Sequence, residues 1–237
     1  DYLYYYAAER SSLPIYGNVM HVFAGRVNPK VFPTKFQSSI RTNEKETKDM
    51  ERDFHSNTFY YNPDSYRGRE DFLPFITSPQ LLTEFAKNET GKNWIYKAEK
   101  LPENHKLWRG APLFPILKEM MLESDNFLAE QLLLMISDRL FGELNSERAI
   151  EYIIKTYLSD LPDQPIWVDG SGLSRYNLFT PRTMVGLFEK LYRVVPDQML
   201  FELLPTGGKS GTIKNNYQAA QAYIFAKTGT ISTAWLD

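Results

Sequence analysis

Two short runs in this chain carry side chains suited to moving a proton and holding an anion. Ser124-Asp125-Asn126 offers a hydroxyl, a carboxylate and an amide in succession, and Lys227-Thr228-Gly229-Thr230 offers an ammonium and two hydroxyls around a glycine. A serine hydroxyl can relay a proton, and an asparagine amide can hold a polar group by donating and accepting together. An ammonium flanked by hydroxyls suits a carboxylate, and a glycine leaves room for a ligand to lie along the backbone. Each run also has a structural explanation: Ser, Asp and Asn are preferred helix N-caps, and a Lys beside a glycine turn suits an exposed strand end. A single cap, however, needs one such residue, and the capping-box position three after Ser124 is Phe127 rather than Glu or Gln.

Both runs sit where the periodicity places element ends. Leu113, Ile116, Leu117, Met120 and Met121 repeat at helical spacing on one face, which predicts a helix running up to Ser124. Phe127, Leu128, Gln131, Leu132, Leu134, Met135, Ile136 and Leu140 predict a second helix directly after, apolar enough to be buried on most sides. Further helices are expected over 146–158 with Ser146 as N-cap, and over 181–192, where Thr180 caps and Pro181 takes the first helical position. Residues 222–229 are β-branched and aromatic and read as a strand ending in Lys227 and Gly229. The second half is therefore α+β.

Residues 1–106 have a different texture, rich in Tyr, Phe, Asn and Pro. Stretches 16–23 and 58–61 read as strands between turns, and helical periodicity is scarce. The charged, apolar-poor segment 37–52 reads as an exposed loop or short solvated helix.

Composition removes several classes of chemistry. Lys+Arg number 27 against Asp+Glu 29, a net charge of −2 with no long single-sign run, so the basic footprint of a nucleic-acid binder is missing. The sequence has no Cys and three scattered His (His21, His55, His105), which argues against thiolate catalysis, a zinc centre or a Ser-His-Asp triad; no metal or cofactor is expected. The apolar run 132–136 is far short of the ~20 residues that span a bilayer, so no transmembrane segment is expected. Gly208-Lys209-Ser210 is not a phosphate loop, because the first glycine of that motif would fall on Leu203.

Taken in order, an S-D-N element followed by a K-T-G element resembles the second and third motifs of penicillin-binding proteins and class A β-lactamases. The likeness extends through 123–133 (Glu123-Ser124-Asp125-Asn126 to Leu133), 167–177 (Trp167 to Asn177, with Asp169-Gly170-Ser171-Gly172-Leu173-Ser174-Arg175 the most family-specific part) with Thr180-Pro181, Leu204-Pro205 to Gly211-Thr212, and Ala226 to Thr230. It is similar to the D-alanyl-D-alanine carboxypeptidase/endopeptidase family of class C penicillin-binding proteins. The match is dense over about 112–232, and Leu13-Pro14-Ile15-Tyr16-Gly17-Asn18 is similar to the tail of the domains this family inserts before its second motif.

That resemblance implies a penicillin-binding protein/β-lactamase-like transpeptidase fold, an antiparallel sheet with helices. Residues 107–237 would form part of the catalytic domain, preceded by a β-rich tail of inserted domains over 1–106. It further implies a bacterial periplasmic serine peptidase acting on peptidoglycan stem peptides and acylated by β-lactam antibiotics. Ser124, Asn126 and Lys227 would be catalytic; Thr228, Gly229 and Thr230 would bind substrate; Asp169, Ser171 and Arg175 would form a rigid turn with an internal Asp-Arg pair or contribute to the site. One element departs from the family: no serine in the chain has a lysine three positions later. The chain is accordingly expected to be a fragment or degenerate product of such an enzyme, inactive alone. Rival expectations are a non-catalytic relative that binds peptidoglycan or a partner, and a β-lactamase-type hydrolase.

Overall fold

A computed structural model describes residues 4–24, 28–44, 50–67, 70–100, 102–106 and 110–229. Thr230 and the segment after it lie outside the described residues. The chain divides into two compact units, Asp1–Leu107 and Trp108–Asp237, and its class is mixed α+β.

In the first unit, three of the short strands alternate buried with more exposed residues, as a sheet with one covered face requires. β1 (Val19–Ala24) pairs antiparallel with β2 (Lys30–Phe32) on one side and β6 (Asp71–Pro74) on the other. A second sheet orders β3 (Ile40–Thr42), β5 (Phe59–Tyr61) and β4 (Met50–Arg52), with β3 parallel and β4 antiparallel to β5. Helix α1 (Pro79–Thr90) begins at Ser78, whose side chain accepts from the Leu81 N–H, and ends at Gly91 in the left-handed region. Its Phe85 is fully buried against Phe36 and Phe75, with ring centroids 5.9 and 5.7 Å apart.

Three expectations for this unit need correction. Helix α1 was not anticipated, although Ser78-Pro79 is an N-cap followed by a helix-starting proline. Residues 16–18 form a 3-10 turn rather than strand, because Tyr16, Gly17 and Asn18 all take positive φ. Segment 37–52 is not merely an exposed loop: it supplies β3 and β4, and both Met50 and Arg52 are buried.

Among its described residues the second unit has five α-helices: α2 (Leu113–Glu123), α3 (Asn126–Phe141), α4 (Ser146–Tyr157), α5 (Pro181–Val194) and α6 (Asp197–Leu203). Leu133 of α3 buries against Ala149 and Ile150 of α4, with Trp167 packed on the same cluster. Burial on α3 is one-sided, however. Phe127, Gln131, Leu133, Leu134 and Ser137 are buried while Met135, Ile136 and Leu140 are exposed, which corrects the expectation of a helix buried nearly all round. The N-cap of α4 is Asn145, whose Oδ1 accepts from the Arg148 N–H, and Ser146 is the first helical residue.

Residues 222–229 do not form the expected strand. A strand needs a neighbour to share a ladder, and the backbone alongside it among the described residues is the short loop 205–207. That loop supplies a bridge between Thr206 and Phe225 and two flanking bonds, Gly207 N–H to Ile224 O and Ala226 N–H to Pro205 O, both 3.0 Å.

Helix α5 starts as expected at Thr180-Pro181 and is latched to the preceding loop by Asp163. That carboxylate accepts from the Thr180 hydroxyl at 2.7 Å and from two nitrogens of Arg182, while the buried Thr183 hydroxyl donates to the Asp163 carbonyl. The Thr180 hydrogen bond, followed by Arg182, holds the Asp163 pKa below the usual carboxylate value. A depressed carboxylate contributes stability above its unfolded pKa and loses it as pH falls through the folded one. Asp163→Asn should therefore lower the melting temperature at neutral pH, and the gap to wild type should close below about pH 4; circular dichroism melts across pH check both.

Candidate active site

The two motifs meet. The Lys227 ammonium donates to the Ser124 Oγ at 2.6 Å and to the Thr228 carbonyl at 2.8 Å, closing a contact across 103 positions of sequence. Desolvation by the surrounding protein lowers the Lys227 pKa from the ordinary lysine value. Lys227 stays solvent-exposed, so its desolvation is partial, and the Ser124 and Thr228 oxygens satisfy two of its three donors.

Each residue of the triplet has its own task at the junction of α2 and α3. Ser124 is the C-cap of α2, in the left-handed region at φ 58, ψ 45. Asp125 is the N-cap of α3, accepting from the Leu128 N–H at 2.8 Å, and Asn126 opens the helix. The surplus of polar residues is therefore explained in part by two helix ends meeting within three residues. Glycine is the usual residue at a left-handed C-cap, and a serine there costs of order 1–2 kcal/mol. What a glycine would lack is the hydroxyl that Lys227 holds. Asn126 is half-buried, and its side-chain amide makes no hydrogen bond among the described residues, so it remains available to a ligand.

The Lys227 side of the site is built on close backbone approach. Gly211 (φ +63) packs so tightly that a Cβ would lie 2.8 Å from Pro205 Cβ and 3.0 Å from Leu122 O, the carbonyl two residues before Ser124. This contact fixes the loop that runs beside 222–229 against the end of α2. From the same turn Thr212 reaches Thr228, their hydroxyls 2.7 Å apart. Among the described residues, a Cβ on Gly229 would meet nothing within 4 Å, which leaves room there for a ligand to lie along the backbone.

Asp169, Ser171 and Arg175 lie in a turn that α3 positions. The Asp169 carboxylate accepts from the Gly172 and Ser174 N–H groups at 2.7 and 2.8 Å and from the Asn177 amide at 2.9 Å. It organises the turn's own backbone, which is a structural role. The Ser171 N–H donates to the Glu130 carboxylate at 2.9 Å, and Gly170 sits against the Ala129 carbonyl, where a Cβ would approach to 2.8 Å. Since Glu130 follows Asn126 by four positions, on the same helix face, this turn is anchored one helical turn from the triplet. Ser124 and Lys227 are thus brought together directly, and the Asp169 turn joins them through α3.

Glu130, Asn177 and Thr212 were missed as contributors to the site. Glu130 carried a weak signal, its i+4 spacing from Asn126, and Thr212 lay inside a quoted run without a role. The Thr206-x-x-Lys209 spacing offers no substitute nucleophile: Thr206 is buried and its hydroxyl donates to the Leu204 carbonyl.

Against known proteins, the family model described as "D-Ala-D-Ala carboxypeptidase 3 (S13) family" matches residues 95–235, which contain every group described above. The chain belongs to this family. It is 31% identical over 127 residues to the D-alanyl-D-alanine carboxypeptidase DacB of Haemophilus influenzae, covering 51% of this chain and 26% of that protein. It is also 33% identical over 135 residues to the penicillin-sensitive carboxypeptidase A of Dictyostelium discoideum, covering 50% and 25% respectively. The matches span about a quarter of the length of these curated relatives. In fold it is similar to the crystal structure of penicillin binding protein 4 (dacB) from Haemophilus influenzae, with a TM-score of 0.67 at 20% identity, covering 97% of this chain and 58% of that one. The same protein complexed with a novel β-lactam matches with a TM-score of 0.52 at 22% identity, over 83% and 51% of the two chains.

The two glycines of this S13 site separate packing from ligand space. Gly211→Ala should cost at least about 1 kcal/mol, from its positive φ and the two contacts. Gly229→Ala should change stability by less than about 0.5 kcal/mol. Urea midpoints of the two variants provide the comparison.

Proposed function

We propose that this chain is the leaving-group and carboxylate-binding half of a serine DD-peptidase that acts on the D-Ala-D-Ala ends of peptidoglycan stem peptides in the bacterial periplasm. The observation that carries this reading is the 2.6 Å contact between Lys227 Nζ and Ser124 Oγ, formed by motifs 103 positions apart. In this reading residues 107–237 are a partial catalytic domain and residues 1–106 the tail of inserted domains.

The chemistry follows from who donates to whom. Because Lys227 donates to the Ser124 oxygen, the Ser124 proton is free to point away from Lys227, toward the reacting centre. The serine of a Ser-x-x-Lys element, a motif these 237 residues do not contain, would attack the carbonyl carbon of the penultimate D-Ala. Its lysine would take the serine proton, and Ser124 would pass a proton to the departing D-Ala amine as the C–N bond breaks. Water would then resolve the acyl-enzyme by the reverse proton path.

Lys227 would draw the substrate's terminal carboxylate, and the Thr228 hydroxyl, oriented by Thr212, would bind it together with the Thr230 hydroxyl. Asn126 would hold the peptide amide. The Thr230 N–H would supply half of the oxyanion hole, where one such donor is worth about 2.7–4 kcal/mol in the transition state. A β-lactam would enter by the same route, its strained amide taking the place of the peptide bond and its carboxylate that of the terminal D-Ala.

Two outcomes follow. The chain as it stands should neither release D-Ala from a D-Ala-D-Ala peptide nor be labelled by fluorescent penicillin, and stoichiometric labelling overturns the proposed division of the site. In the parent protein, a Ser-x-x-Lys element is expected upstream of Ser124, and Ser124→Ala should lower kcat/KM for the peptide by about 10²–10⁴-fold. A parent gene without Ser-x-x-Lys would instead point to a non-catalytic binding role, and penicillin turnover faster than peptide cleavage to a β-lactamase.

A further inference from the structure

The second unit holds a cleft of about 440 Å³ lined by α2, α6, the loop 206–210 and the segment that carries Phe225. The size falls in the range of small-molecule sites, roughly 300–1,000 Å³. Its floor is apolar: Leu122 from α2, and Phe201 and Phe225, whose ring centroids lie 4.7 Å apart.

The charges at its rim are unequal. Lys118 pairs with Glu202 at 3.4 Å, and Glu202 also accepts from the Gln198 amide, so these groups balance one another. Lys209 lines the same cleft, and its ammonium makes no hydrogen bond or ion pair among the described residues. Among the described residues, the cleft therefore presents an aromatic lining with one positive charge that has no partner. Its natural complement is a monoanion on an apolar body.

We infer that this cleft binds a small amphipathic monocarboxylate, its carboxylate on Lys209 and its aryl or branched-alkyl body between Leu122, Phe201 and Phe225, and that occupancy is felt at the Ser124–Lys227 contact. Charge decides the ligand class: among the described residues that line the cleft Lys209 is the one cation without a partner, so a dianion would exceed it and a neutral apolar molecule would leave it unmatched. Position decides the coupling. Leu122 lies two residues before Ser124, and Phe225 lies two residues before Lys227, so a body wedged between these side chains bears on both elements that form the contact. The cleft and its charge are independent of the peptidase reading, and the test needs no activity.

The experiment titrates the full chain with phenylbutyrate and follows backbone amide correlation spectra. Saturable shifts are expected at Leu122, Phe201, Lys209 and Phe225, carried to Ser124 and Lys227. Lys209→Met should weaken binding about tenfold or more, Lys155→Met on α4 should leave it unchanged, and neutral phenylbutanol should bind about tenfold more weakly than the acid. Equal binding of the alcohol, no effect of Lys209→Met, or shifts centred outside the cleft would overturn the site; binding that leaves the Ser124 and Lys227 amides unmoved would overturn the coupling.

Discussion

One hydrogen bond, from the Lys227 ammonium to the Ser124 hydroxyl, sets the terms for the second unit. A long flexible side chain loses rotamer freedom when it is held, and a desolvated ammonium is costly unless fixed oxygens replace its water. The fold meets this demand from both sides. The end of α2 presents Ser124 at a fixed angle, and the loop carrying Gly211 lies against the Leu122 carbonyl while its neighbour, loop 205–207, bonds to the backbone that leads into Lys227.

That requirement also accounts for the backbone at Ser124. A left-handed C-cap favours glycine, and Asp125 alone caps α3. A serine at φ 58 makes sense when its hydroxyl is needed, and a strained residue hydrogen-bonded to a partly desolvated lysine is the pattern expected of a functional site. Among the described residues the Asn126 amide makes no hydrogen bond, so Asp125 is committed to capping while Ser124 and Asn126 are the groups the proposed chemistry would use.

How much of this was legible depended on whether a signal was local. Helix α5 could be read from Thr180-Pro181, and α2 and α3 from their apolar spacing, because caps and periodicity act within a few residues. The α4 boundary slipped by one residue because Asn145 and Ser146 are both good caps. Helix α1 was hidden by its composition, since only Leu81 and Phe85 of its residues are buried. Residues 222–229 have strand composition but lack a continuous partner among the described residues, and strand formation depends on that partner more than on propensity. In the site, Ser124, Asn126, Lys227 and Thr228 were readable from motif and order. Glu130 and Thr212 were not, because their roles arise from contacts made across 41 and 16 positions.

Ser124 and Lys227 form one hydrogen-bonded pair in which the lysine has lost part of its hydration. The most direct test of this pair is a side-chain NMR titration of Lys227 in the wild-type chain and in Ser124→Ala. The pair predicts a Lys227 pKa below the ordinary lysine value of about 10.4, and a Lys227 titration that shifts on Ser124→Ala. A Lys227 that titrates at the ordinary value and ignores the loss of the Ser124 hydroxyl would contradict it.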